Sequence, residues 1–302
     1  MALFMNKSCL MGFILTSMLL LSTNPSAHIL VENNREVTGK HFFVFDQWAG
    51  PSLNVWAYKP SGYSANSKIL MVMHGTNRDA DRYRDEWSKH AEKYNVLLIV
   101  PQYTKADFPR ANGYNLGNVF VASSNYQQTN PRSEWAYSAI EPLFDFVKTK
   151  YQSTQSQYSI YGHSAGSQFV HRLIYFVPQA RVSNIITANA GWYTAPDFSI
   201  DFPYGLNNSP VSKESLKQAL QKPVTILLGE ADNDPNHKHL RRAKEAMVQG
   251  PHRFARGHYF YAAGQQAAND LQLEFNWQLK TVPNVGHKNG LMAEAAILAL
   301  IP

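Results

Sequence analysis

The middle of this chain carries short runs that are almost continuously apolar: ILMVM at 69–73, VLLIV at 96–100, YSIY at 158–161, IITAN at 185–189 and VTILL at 224–228. A strand without polar alternation has both faces covered, which requires helices on both sides of its sheet. FFVF at 42–45, LNVWAY at 53–58 and NWQLKTV at 276–282 partly alternate, as edge or antiparallel strands do. Between these runs, Ala80, Tyr83, Trp87, Ala91 and Tyr94 form one helical face, with Asp79 or Asp81 near its start. Ala136, Ile140, Leu143 and Val147 form a second stripe, which Pro142 is expected to kink. Phe169, Val170, Leu173 and Ile174 form a third. No internal repeat or interdomain linker breaks the order, and the polar stretch 122–132 reads as a surface loop. Alternating strands and helices imply a doubly wound α/β sandwich with a mixed, mostly parallel sheet, and 302 residues at 44% hydrophobic composition suit one such domain.

That domain is expected to span 28–302, because the N-terminus reads as an export signal over 1–27. Lys7 precedes an apolar run, Leu10 to Leu21, which passes into STNPSA and ends on the small Ala27. The run is too short to span a bilayer comfortably, so the mature chain is expected to be exported, periplasmic or secreted, without stable membrane insertion. The single cysteine, Cys9, falls within the signal. Disulfides, a thiolate nucleophile and cysteine-bound zinc are thereby excluded from the mature chain. Removing 1–27 deletes one lysine and no acid, taking the formal charge from +6 to +5. The basic residues are mostly scattered, so no nucleic-acid partner is expected.

The stretch YSIYGHSAGSQFVHRLI, 158–174, sets Gly162, Ser164 and Gly166 between a strand-like and a helix-like run. A chance G-x-S-x-G in a chain of this length has odds of about one in ten, so the motif alone decides little. Its strand–turn–helix setting adds weight, because a nucleophilic serine on a strained turn needs glycines where neighbouring backbone leaves no room for a Cβ. A serine hydroxyl also needs a base, and the base needs an orienting carboxylate. VTILLGEADND supplies Asp232 just past a strand, and TVPNVGHKNG supplies His287 after the last strand. Asp234, which precedes Pro235, reads instead as a helix cap.

With YGHSAG, MHGTNRDA, LLGEADNDP and VPNVGH in this order, residues 40–302 resemble an α/β-hydrolase. The similarity is to serine esterases of the group that includes poly(3-hydroxybutyrate) depolymerase-like and feruloyl-esterase-like proteins. The resemblance implies a triad of Ser164, Asp232 and His287, and an oxyanion hole from the backbone N–H groups of Thr76 and Ala165. It implies no cofactor. The mature chain departs from secreted polymer depolymerases in lacking their cysteines, which counts against a polymer substrate.

Trp192 and Tyr193 follow a strand and a glycine at the same sheet edge, and are expected to line an acyl pocket. His163 is expected to pack beneath the serine, His74 to act as a structural hydrogen-bonder, and Arg78 to pin its loop. Asp232, Asp234 and Asn236 open like a calcium loop, but His237 and Ala243 stand where glycine and glutamate belong, so no metal is expected. The segment 233–250 reads as an insertion whose Lys238, Arg241, Arg242 and Lys244, at helical spacing, form either a solvated helix face or a patch that attracts anionic substrates or an anionic surface. The reading is an exported serine esterase acting on a small-molecule or oligomeric ester through an acyl-enzyme. Its rivals are a serine peptidase or amidase on the same fold, and a binding module without catalysis. Cleavage after Ala27 should leave His28 at the mature N-terminus. N-terminal sequencing of exported protein checks this, and an intact Met1 contradicts it.

Overall fold

A computed structural model describes residues 37–121 and 126–300. The export segment, the domain start at His28 and the first part of the polar loop lie outside the described residues. The strands are β1 (Gly39–Phe45), β2 (Leu53–Lys59), β3 (Ile69–Met73), β4 (Leu97–Gln102), β5 (Tyr158–His163), β6 (Val182–Ala188), β7 (Val224–Gly229) and β8 (Trp277–Val282). The helices are α1 (Ala80–Lys93), α2 (Arg110–Gly113), α3 (Ile140–Tyr151), α4 (Ala165–Phe176), α5 (Lys213–Leu220), α6 (Lys244–Val248), α7 (Arg253–Asp270) and α8 (Asn289–Leu300).

The eight strands form one sheet in the order β1-β2-β4-β3-β5-β6-β7-β8. β1 and β2 are antiparallel to their neighbours, and the six strands from β4 to β8 run parallel. Every residue of β3 is buried. Leu70 and Val72 join the core under α1 and α8, whereas Ile69, Met71 and Met73 join the larger core on the opposite face, with Leu143, Phe169 and Phe260. Each such side chain contributes about 1.5–3 kcal/mol by leaving water. A polar residue at any β3 position would forgo that gain and leave an unpaired group in the core. The unbroken apolar runs are thus the signature of a sheet with helices on both faces, the α/β-hydrolase arrangement.

Two local expectations are corrected. Pro142 does not kink a long helix. The chain makes two short 3-10 turns at Arg132–Glu134 and Ala136–Ala139, and α3 begins at Ile140, so the proline sits in its first turn. Amides there have no acceptor within the helix, and proline costs nothing by lacking one. The basic segment after Asp232 is irregular from 233 to 243, and only Lys244–Val248 is helical. Lys238 and Arg242 therefore do not share a helix face.

All the parallel strands point their C-terminal ends to one edge. The turns after β3, β5, β6, β7 and β8 meet there. Backbone closeness sets the spacing: a Cβ on Gly166 would lie 2.0 Å from the Met73 carbonyl oxygen, and one on Gly162 would lie 2.2 Å from that of Gly166. Only glycine lets α4 leave β5 so close to β3.

Candidate active site

Ser164 is the single residue between β5 and α4, with φ 59° and ψ −115°. A side chain at positive φ costs about 1–3 kcal/mol and persists only where its surroundings fix it. Here the Ser164 N–H donates to the Ala188 carbonyl at 3.0 Å, and the two glycines admit the tight turn. The hydroxyl is thereby lifted off the sheet edge.

Asp232 and His287 come from neighbouring loops that are tied together. Glu230 N–H donates to Val282 O at 3.1 Å and Ala231 N–H to Val285 O at 3.0 Å. A Cβ on Gly229 would lie 2.3 Å from Val285 O, so glycine permits this approach. The Asn189 side chain, at the end of β6, accepts the Gly229 N–H at 2.8 Å. The loops bring His287 Nδ1 to 2.6 Å from Asp232 Oδ2 and His287 Nε2 to 3.0 Å from Ser164 Oγ. With Nδ1–H donating to the carboxylate, Nε2 is left with a lone pair that can accept the serine O–H. Asp234 stays exposed, and its side chain accepts the Asn236 N–H at 2.7 Å. It caps no helix, because the next one begins only at Lys244.

Arg253, the first residue of α7, carried no sequence signal. Its Nη1 donates to the other Asp232 oxygen at 3.2 Å, with both side chains almost fully buried, and its Nη2 donates to His237 Nδ1 at 3.2 Å. Burial pushes the Asp232 pKa upward, but the His287 hydrogen bond and the positive charge of Arg253 outweigh it, and the net shift is downward. Burial also drives His287 down, and Arg253 adds to this. The Asp232 hydrogen bond and charge oppose it without reversing it. His163 packs against His287 at 4.5 Å between ring centroids, the rings tilted by 37°, and burial holds it neutral.

The turn after β3 lies against the serine: a Cβ on Gly75 would lie 3.9 Å from Ser164 Cβ. His74 donates from Nδ1 to Gly75 O at 3.0 Å and accepts the Tyr103 N–H on Nε2 at 3.0 Å. Burial and the neighbouring Arg78 take its pKa down to about 3, which fixes the neutral tautomer. Arg78 donates to the carbonyls of Tyr103, Phe108 and Arg110 and lies over the Tyr114 ring at 4.2 Å. Both residues hold the turn, as read from the sequence. The N–H groups of Thr76 and Ala165 donate to no other group among the described residues.

Two clefts meet at Ser164 and Thr76. One, of about 730 Å³, is bounded by His287 and Leu291; its carboxylates Asp79, Asp85 and Glu86 are matched in number by Arg82, Lys89 and Lys288. The other, of about 710 Å³, runs past Ala165, Gln168 and Trp192. It is lined by Arg78, Lys105, Arg110, Lys238, Arg241 and Arg253, with no carboxylate among the described residues. Of the basic segment, Lys238 and Arg241 line this cleft and Arg242 and Lys244 do not. Trp192 is a wall residue, held between Arg172 at 4.2 Å and Arg241 at 5.1 Å. Tyr193 is not. It is fully buried and stacked on Phe260 at 4.4 Å. Among the described residues, no three of His, Cys, Asp and Glu gather as metal ligands.

Histidine NMR titration should place the His287 pKa below the ordinary value of about 6.5. Arg253→Met, which removes a cation opposing imidazolium, should raise it. An unmoved value would show that Arg253 is electrostatically silent.

No family model matches the chain, and comparison with curated proteins finds no match. Solved structures do match. Poly(aspartic acid) hydrolase-1 from Sphingomonas sp. KT-1 is 44% identical, covering 87% of this chain and 98% of that one, with a TM-score of 0.84. LpqC, a poly(3-hydroxybutyrate) depolymerase from Bordetella parapertussis, is 33% identical over 86% of this chain and 89% of its own, with a TM-score of 0.81. An S-formylglutathione hydrolase from Agrobacterium tumefaciens, 16% identical over 87% of this chain and 97% of its own at a TM-score of 0.51, shares the fold. The identity and coverage of the first two show that the chain belongs to the α/β-hydrolases, in the group of esterase- and depolymerase-type hydrolases that includes them.

Proposed function

We propose that this chain is an exported serine hydrolase that cleaves carboxylic esters through an acyl-enzyme on Ser164. One observation carries the reading: the unbroken hydrogen-bond chain from Ser164 Oγ through both His287 nitrogens to Asp232. Export rests on the segment 1–27. In the first step Ser164 Oγ bonds to the acyl carbon while its proton passes to His287 Nε2. The tetrahedral oxyanion receives the Thr76 and Ala165 N–H groups, each contributing about 3–4 kcal/mol to the transition state. Collapse breaks the bond to the leaving oxygen, which takes the proton from His287. Water, deprotonated by the same nitrogen, then attacks the acyl carbon, and Ser164 leaves with the proton restored. The lowered His287 pKa keeps the base free at neutral pH, so turnover should rise with pH on a limb below about 6.5 and then level.

A second reading on the same triad is cleavage of an anionic polyamide. Two observations favour it: the cation-lined cleft beside Ser164, and 44% identity to an enzyme named for poly(aspartic acid). Both relatives are named for polymers, which weakens the objection drawn from missing cysteines.

Ser164→Ala and His287→Ala should each lower turnover of a neutral 4-nitrophenyl ester by about 10⁴–10⁶-fold, with the double variant little worse. Asp232→Asn should be far more damaging than Asp234→Asn. Folded Ser164→Ala protein with near-normal turnover would sink the assignment. Product release from poly(aspartic acid) compared with poly(3-hydroxybutyrate) separates the amide from the ester reading.

A further inference from the structure

The chemistry of acyl transfer says which cleft takes which half of a substrate. The leaving atom must receive its proton from His287 Nε2, and His287 lines only the cleft where carboxylates and cations balance. The carbonyl oxygen turns toward Thr76 and Ala165. The acyl chain is left the other direction, along Ala165, Gln168 and Trp192, into the cleft whose charged lining residues are all Lys or Arg.

Those cations differ in what holds them. Arg78 is committed to three backbone carbonyls and Arg253 to Asp232. Arg241 donates from Nε to the Tyr204 hydroxyl at 2.5 Å, and the residue is exposed with no carboxylate partner among the described residues. Lys105, Arg110 and Lys238 are exposed and have no carboxylate partner among the described residues. On the leaving-group side three carboxylates stand among the cations: Asp79 and Glu86 pair with Arg82, Asp85 pairs with Arg84 at 2.6 Å and Lys40 at 2.9 Å, and Lys89 and Lys288 are the exposed cations of that lining. The charge across Ser164 is therefore uneven. A carboxylate on the acyl chain meets cations with no carboxylate among them, whereas one on the leaving group meets a lining with as many carboxylates as cations.

We propose that the enzyme reads negative charge on the acyl half of its substrate and not on the leaving group, so that its preferred acyl donors carry a free carboxylate, with Lys105, Arg110, Lys238 and Arg241 as the specificity-determining residues. This rests on the acyl-enzyme reading above. It also means that after the leaving group departs, the charged acyl chain stays anchored while water attacks.

Two pairs of esters test it. Mono(4-nitrophenyl) adipate against 4-nitrophenyl hexanoate places the charge on the acyl side. 4-(Hexanoyloxy)benzoate against 4-(hexanoyloxy)benzamide places it on the leaving group. At low salt the acyl carboxylate should raise kcat/KM roughly tenfold or more. That gain should fall toward one near 1 M salt, where screening acts over about 3 Å. The leaving-group carboxylate should bring no gain. Replacing Lys105 and Lys238 together with glutamine should shrink the first ratio and not the second. Equal gains in both pairs, or no gain in the first, would overturn the proposal. Failure to hydrolyse any of the four esters would overturn the Ser164 reading itself, a result distinct from altered ratios.

Discussion

At Gly166 the first turn of α4 passes so close to the end of β3 that a Cβ would lie 2.0 Å from the Met73 carbonyl oxygen. This contact between bare backbones sets two things together. It fixes where α4 begins, and so holds Ser164 at positive φ between β5 and the helix. It also fixes the end of β3, and so the turn at 74–77 whose Thr76 lines both clefts beside Ser164. Ser164 and the turn that carries Thr76 are thus positioned by one approach. A methyl group there would push apart both halves of the site, far more than its own volume suggests.

The remaining machinery depends on charges that the fold has taken out of water. Asp232 is almost fully buried, and an unpaired carboxylate there would cost several kcal/mol. His287 satisfies one oxygen and Arg253 the other, and Arg253 also belongs to the wall of the cationic cleft. A single guanidinium therefore joins the base's acid to the surface that meets substrate. His163 and His237 flank the His287 ring at 4.5 and 5.8 Å, shielding it from water on two sides.

The sheet was legible because burial on both faces leaves a mark in the sequence. All eight runs became strands, within a few residues at their ends. Ser164, Asp232 and His287 were legible because each follows a strand in a fixed chain order, and the structure brings their side chains together. Pro142 misled because a stripe of apolar spacing does not show where a helix starts. Tyr193 misled because sequence adjacency to Trp192 says nothing about which side chain faces outward. Arg253, Lys105 and Arg110 were invisible for a deeper reason: they reach the site from α7, from the loop after β4 and from the start of α2, and only tertiary folding sets them beside Ser164. The basic segment 238–244 was visible as composition, but only its Lys238 and Arg241 face the cleft.

The central claim is that Ser164, activated by His287, is the nucleophile. A fluorophosphonate reacts with such a serine in place of an acyl substrate and stays attached, so intact-mass measurement followed by peptide mapping reads the claim directly. The account predicts one adduct per chain, on the peptide containing Ser164, formed rapidly by the native enzyme and hardly at all by His287→Ala. An unlabelled protein, or an adduct on another serine such as Ser167, would contradict it.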